Sequence, residues 1–178
     1  DLPESITVIL KRNGSRFDTK KVTAADDWSY EFTDLPAYSD DGRTAYTYTV
    51  DEEPVEGYIT TVSETNLINT ITGTTSVSGT KTWRAPEGTD LPESITVILK
   101  RNGSRFDTKK VTAADDWSYE FTDLPAYSDD GRTAYTYTVD EEPVEGYITT
   151  VSETNLINTI TGTTSVSGTK TWRAPEGT

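Results

Sequence analysis

The sequence contains no cysteine, no histidine and no methionine. Those absences exclude disulfides, thiol chemistry and histidine-based metal or acid–base sites, and a zinc enzyme with them. There is no apolar run of about 18 residues and no basic leader followed by an apolar stretch, so neither a membrane span nor a signal peptide is expected here. Positive charge is scarce: 16 Lys and Arg stand against 30 Asp and Glu, a formal net charge of −14. Such an acidic surface repels phosphate backbones and excludes nucleic acid as a partner. Apolar residues make up only 33% of the chain, low enough to raise the question of disorder. The aromatic residues, 10% of the total, answer it, because they alternate with polar residues as half-buried strands require.

What the sequence does contain is a perfect repeat: residues 1–89 recur unchanged as residues 90–178. A unit of 89 residues is too long for one turn of a solenoid and matches a small independent domain, so the chain reads as beads in an array. Seventeen threonines per repeat favour a pleated, half-exposed surface. Period-two patterning bounded by turn residues predicts strands over 76–84, 94–101, 104–110, 117–121, 134–140, 147–152 and 155–161, with a further one over 165–173. Seven short strands at this spacing predict an all-β sandwich. Asn102-Gly103 fits a two-residue hairpin turn with positive φ at both positions, a better reading than a glycosylation sequon. The repeats are out of register with the expected domains: residues 75–163 form a complete domain, 1–74 one lacking its first strand, and 164–178 the first strand of a following repeat. A sandwich missing a strand exposes unpaired edges, so head-to-tail complementation by a neighbouring repeat is expected.

Alternation also places three polar residues on inward faces. Lys81 shares a face with Val77, Gly79 and Trp83; Glu141 shares one with Tyr135, Tyr137 and Val139; Asn158 lies with Leu156 and Ile160. Polar groups buried singly cost several kcal/mol, so these three are expected to meet. Desolvation would then favour a neutral amine beside a protonated carboxyl. The amine is a nucleophile, the Asn158 carboxamide the candidate electrophile, and Glu141 the group that polarises its carbonyl and relays protons to departing ammonia. The neighbouring Glu142 has outward parity, which selects Glu141. Asp129-Asp130-Gly131 lacks EF-hand spacing and reads as a solvated loop; no metal or cofactor is expected.

Ser76-Val-Ser-Gly-Thr-Lys-Thr-Trp83, Trp117-Ser-Tyr-Glu-Phe-Thr-Asp-Leu-Pro-Ala-Tyr127, Tyr137-Thr-Val-Asp-Glu141-Glu-Pro-Val-Glu-Gly-Tyr147 and Ile157-Asn-Thr together resemble the Cna protein B-type domain over the whole repeat. The resemblance implies an inverse immunoglobulin-like β-sandwich of Gram-positive surface adhesins and pilins, in which many members form an internal Lys–Asn isopeptide bond assisted by an acidic residue. On that pattern Lys81 matches the amine donor, Asn158 the acceptor and Glu141 the catalytic acid. In the other copy the same places fall to Lys170, Asn69 and Glu52, whose lysine lies beyond the second domain.

Two function classes follow. In the first, the repeats are a structural stalk of an extracellular, cell-wall-anchored adhesin, stabilised by the isopeptide bond and in contact with neighbouring repeats. In the second, the repeats themselves bind a host matrix ligand. Perfect identity between copies suits a length-setting stalk, which recombination extends without damage to a specific site. An enzyme acting on external substrates is not expected, because the only reactive constellation points into the core and would act once, upon itself.

Overall fold

The computed structural model describes residues 1–177, and they form two compact units. One comprises Asp1–Thr75 with Asp123–Tyr135, the other Ser76–Thr122 with the stretch from Thr136 onward. Among the described residues no helix is long and apolar enough to cross a membrane. Regular structure is β throughout, apart from single helical turns at Ala24–Asp26 and Ala113–Asp115.

The first unit contains β1 (Ser5–Arg12), β2 (Ser15–Thr23), β3 (Tyr48–Glu52), β4 (Tyr58–Ser63) and β5 (Asn66–Ile71). They form a three-stranded sheet in the order β2-β1-β3 and a two-stranded sheet β4-β5. Its core is small: Val8, Leu10, Val22 and Val50 are buried, while Ile6, Tyr30, Phe32, Leu35 and Leu67 are only partly covered. Those half-covered side chains border an open cleft of about 690 Å³ that also reaches Glu52 and Asn69.

The second unit is built on β6 (Thr74–Arg84), β7 (Ser94–Arg101), β8 (Ser104–Thr112), β9 (Ser118–Pro125), β10 (Tyr137–Glu141), β11 (Tyr147–Ser152) and β12 (Asn155–Ile160), the first two residues of β6 and the last three of β9 being assigned to the first unit. Its sheets are β10-β7-β8 and the four-stranded β11-β12-β6-β9. The pairs β10–β7, β7–β8 and β11–β12 are antiparallel, whereas β12 runs parallel to β6, with Leu156 opposite Lys81 and Asn158 opposite Trp83. On β6 the buried or half-buried residues are Val77, Gly79, Lys81 and Trp83, the alternation expected of a strand with one face on a core. Val97, Leu99, Val111, Phe121, Val139 and Leu156 complete that core. Burying such side chains contributes about 1.5–3 kcal/mol each, which makes this the stabilising centre of a thinly apolar domain.

The hairpin turn expected at Asn102-Gly103 is present, with φ of 50° and 83°. Asn102 Oδ1 accepts the Thr136 amide N–H at 2.8 Å and ties the hairpin to the start of β10. Several strands differ from the sequence reading: β6 begins two residues earlier, β8 ends two later, β10 ends one later and β12 ends one earlier. Trp117 adopts a left-handed φ of 54° after the helical turn, so β9 begins at Ser118. It runs on to Pro125, four residues past the end expected at Phe121. Residues 134–136 make only an isolated bridge, between Ala134 and Tyr127, and β10 starts at Tyr137. Residues 164–177 form no strand, so the one expected over 165–173 is absent. Val166 and Trp172 there are 97% and 81% exposed.

Identical sequence takes different structure in the two units. Residues 29–36 form no strand, although they repeat β9 residue for residue. In the second unit β9 pairs with β6; in the first unit the corresponding sheet has no such strand. Tyr119, Phe121 and Leu124 are buried, whereas Tyr30, Phe32 and Leu35 are half-buried. The presence of one neighbouring strand accounts for the difference.

Candidate cross-linking site

Three strands bring the polar residues of the second unit together. β6 supplies Lys81, β10 ends on Glu141 and β12 carries Asn158, each on its inward face. Asn158 Nδ2 donates to Glu141 Oε1 at 2.7 Å. Lys81 Nζ lies 3.8 Å from Glu141 Oε2, and both side chains are sealed from solvent. The Lys81 ammonium donates to the Thr82 carbonyl at 3.2 Å and lies 3.8 Å from the centre of the Trp83 ring. Trp83 is held between Trp117 and Tyr147, with edge-on ring contacts at 5.3 and 4.9 Å. An aromatic wall thus closes the site on the lysine side.

The electrostatics follow from that enclosure. Burial draws the Lys81 amine down to about 8, against an opposing pull from the Glu141 charge. Burial likewise pushes the Glu141 carboxyl up, while the Asn158 hydrogen bond and the Lys81 charge pull it back. Two acceptors, Glu141 Oε2 and Asn158 Oδ1, have no hydrogen-bond partner, nor has the Trp83 indole N–H. A buried unpaired carboxylate is costly, whereas a protonated one beside a neutral amine removes both buried charges. Chemically, the arrangement offers a nucleophile, an amide electrophile and a proton carrier in a dry space.

Glu142, the alternative acid, faces outward and accepts from Arg105 Nη2 at 2.9 Å. Asp130, in the acidic loop, is engaged within its own turn, accepting from Ser128 Oγ at 2.6 Å and the Arg132 N–H at 3.0 Å. In the first unit Asn69 Nδ2 donates to Glu52 Oε1 at 2.9 Å, so the equivalent pair forms there too. Lys170 is not with them: it is exposed, with its ammonium 4.4 Å from the Trp172 ring centre. In its stead, the Thr60 hydroxyl stands 2.9 Å from Glu52 Oε2 and 2.7 Å from Asn69 Oδ1. Those oxygens are the counterparts of the two left unpartnered in the second unit. Sequence reasoning missed Thr60 and its repeat Thr149. The signal was available: Thr149 has the inward parity of Tyr147 and stands opposite Asn158 in the β11–β12 ladder.

A sandwich whose inward-facing polar cluster is sealed from solvent has the character of a structural module. The chain belongs to the Cna protein B-type domain family, whose model matches residues 1–74 and 77–163. It is similar to a collagen adhesin of Staphylococcus aureus, 35% identical over 96% of this chain, though it spans only 15% of that protein's length. Among solved structures, a single B repeat unit of the collagen-binding surface protein of the same organism is 34% identical, with a TM-score of 0.42, covering 89% of this chain and 87% of that one. A pair of B repeat units of that protein is likewise 34% identical, at a TM-score of 0.44, covering 93% of this chain and 46% of the other. A pilus adhesin of Lactobacillus rhamnosus GG is 23% identical over 65% of this chain and 15% of its own, with a TM-score of 0.41.

Proposed function

We propose that this chain is a stalk segment of an extracellular, wall-anchored bacterial adhesin, and that its repeats are stabilised by isopeptide bonds they form themselves. Support for the surface role comes from the adhesin relative and from the family. The observation that carries the chemistry is the buried hydrogen bond from Asn158 to Glu141 at 2.7 Å, with the Lys81 amine beside the other carboxyl oxygen.

In the reaction, neutral Lys81 Nζ adds to Asn158 Cγ while Glu141 donates a proton to the carbonyl oxygen. The Cγ–Nδ2 bond then breaks, and ammonia leaves with a proton that Nζ has surrendered, carried by the Glu141 carboxyl. An amide replaces an amide, and the acid is regenerated. Glu52 and Asn69 are the same machinery awaiting a lysine equivalent to Lys170 from a neighbouring repeat, which makes strand sharing across repeat boundaries part of how the stalk is joined. Intact-mass measurement on the purified chain tests the bond. A deficit of one ammonia, mapped by peptide sequencing to Lys81 and Asn158, is expected. Full mass in the folded protein overturns the chemistry.

A further inference from the structure

The Asn158 carboxamide is turned so that the acid meets its nitrogen and not its oxygen. Nδ2 donates to Glu141 Oε1 at 2.7 Å, while Oδ1, the atom that must take a proton as an amine adds to Cγ, has no hydrogen-bond partner. The other carboxyl oxygen, Glu141 Oε2, has none either. Two buried oxygens of the reacting pair thus face a gap that a hydroxyl between them would bridge.

The ladder puts one within reach. Thr149 stands opposite Asn158, as Thr60 stands opposite Asn69 in the first unit, and opposite residues of an antiparallel pair have Cβ atoms about 5 Å apart. Both threonines are half-buried between exposed neighbours, so both point inward. In the first unit the amide has the same orientation, Asn69 Nδ2 donating to Glu52 Oε1 at 2.9 Å, and Thr60 Oγ1 lies 2.9 Å from Glu52 Oε2 and 2.7 Å from Asn69 Oδ1. A hydroxyl has one hydrogen and two lone pairs, so it accepts from one oxygen while it donates to the other. With the carboxyl in its acid form, the three contacts close a ring in which every hydrogen has its own acceptor: Nδ2–H to Oε1, Oε2–H to Oγ1 and Oγ1–H to Oδ1.

We infer that Thr149 is a catalytic residue whose hydroxyl passes the proton of Glu141 to the carbonyl oxygen of Asn158. The inference rests on the cross-linking chemistry proposed above and assigns within it the group that reaches Oδ1. A turn about χ1 of Thr149 brings Oγ1 between Oε2 and Oδ1, the place that Thr60 Oγ1 holds in the first unit. As Lys81 Nζ adds to Cγ, the Oγ1 hydrogen moves to Oδ1, and the Oε2 hydrogen of Glu141 replaces it on Oγ1. The carboxylate so formed takes a proton from the newly bonded Nζ and delivers it through Oε1 to Nδ2, which it already faces. The Cγ–Nδ2 bond breaks, ammonia departs, and the Oδ1 hydrogen returns through Oγ1 to the carboxylate as the carbonyl re-forms. Threonine and acid both end as they began, and no oxidant or cofactor enters the balance. The two carboxyl oxygens divide the work, Oε2 serving the carbonyl through Thr149 and Oε1 serving the leaving nitrogen directly.

Valine and serine at this position separate a relay from packing, because valine keeps the shape of threonine without the hydroxyl and serine keeps the hydroxyl without the methyl. The full chain is made in a short cell-free pulse and its folding followed by tryptophan fluorescence. Ammonia loss is timed by intact mass, with peptide mapping of residues 75–163. T149V is expected to fold as wild type does and to lose ammonia about 100-fold more slowly. T149S is expected to stay close to the wild-type rate, and Thr150→Val, on the exposed neighbour, to match it. Should T149V fail to fold, T149A against T149S makes the same comparison at small side chains, with T149A expected to be the slow one. Either hydroxyl-free variant reacting at the wild-type rate overturns the relay and spares the bond. T149S as slow as T149V reduces Thr149 to packing and overturns the relay as well. A wild-type chain that folds and keeps its full mass overturns the cross-linking reading itself, and this inference with it.

Discussion

Asn158 and Glu141 are joined by a 2.7 Å hydrogen bond in a space closed to solvent, and their repeats Asn69 and Glu52 make the same bond at 2.9 Å with no lysine beside them. The acceptor and the acid are therefore assembled by β10 and β12, or by β3 and β5, independently of the strand that brings the amine. On the proposed chemistry, pre-organisation of this kind would let the lysine strand enter a site already set for reaction.

Replacing the nucleophile separates the bond from the packing. Lys81→Met keeps the length of the side chain on β6 and removes the amine. The variant is expected to show full mass and to lose about 4 kcal/mol of stability, the loop-closure entropy of a link spanning the segment from Lys81 to Asn158. Thermal and denaturant unfolding beside wild type measure it; equal stability in the two proteins contradicts a cross-linked native state.

The two adjacent acids should behave differently. Glu141→Gln retains shape and hydrogen bonding to Asn158 but cannot relay a proton, so bond formation is expected to slow by about 100-fold or more. Glu142→Gln breaks only a surface ion pair with Arg105, worth under about 1 kcal/mol, and should leave the mass deficit intact. Time-resolved mass spectrometry after refolding distinguishes them.

The rate of bond formation should depend on pH with a defined sign. The amine must be neutral, and burial has lowered it to about 8. Below that value the ammonium form accumulates, and the rate should fall about tenfold for each further pH unit. Burial raises the Glu141 carboxyl, which must hold its proton to act as the acid, so its ionisation with rising pH opposes the gain from the neutral amine. A bell-shaped profile is the expected result of refolding the chain across a pH series; a flat profile excludes an amine nucleophile activated by desolvation.

Gly79→Ala should be severe where Gly168→Ala leaves the unfolding temperature of the chain unchanged, since a Cβ there meets nothing within 4 Å. The added Cβ on β6 stands 2.0 Å from the Thr154 carbonyl oxygen and 2.6 Å from the Tyr119 hydroxyl, contacts that force β6 away from β12 at a cost of about 3 kcal/mol. Calorimetry of the two variants reads the contrast.

Much of this site was legible in the sequence because strands have a period of two. Parity alone put Lys81, Glu141 and Asn158 on inward faces and turned Glu142 outward. It did not reveal the left-handed backbone at Trp117, which depends on the preceding helical turn capped by Asp115 on Thr112. Thr149 escaped notice because threonine is common on every strand, and its importance comes from standing across the ladder from Asn158. Residues 29–36 and 118–125 mark a firmer limit, since no local rule distinguishes identical sequences. Only the neighbouring strand decides that one pairs and the other does not.

The parallel pairing of β6 with β12 has a mechanical consequence. These are the outermost strands of the second unit in chain order, lying side by side and pointing the same way. Tension entering at one end of the unit and leaving at the other therefore loads their shared ladder in shear, with all its hydrogen bonds strained together instead of one after another. With Lys81 bonded to Asn158, the load passes across that single amide, and the intervening chain hangs slack beside the path of the force.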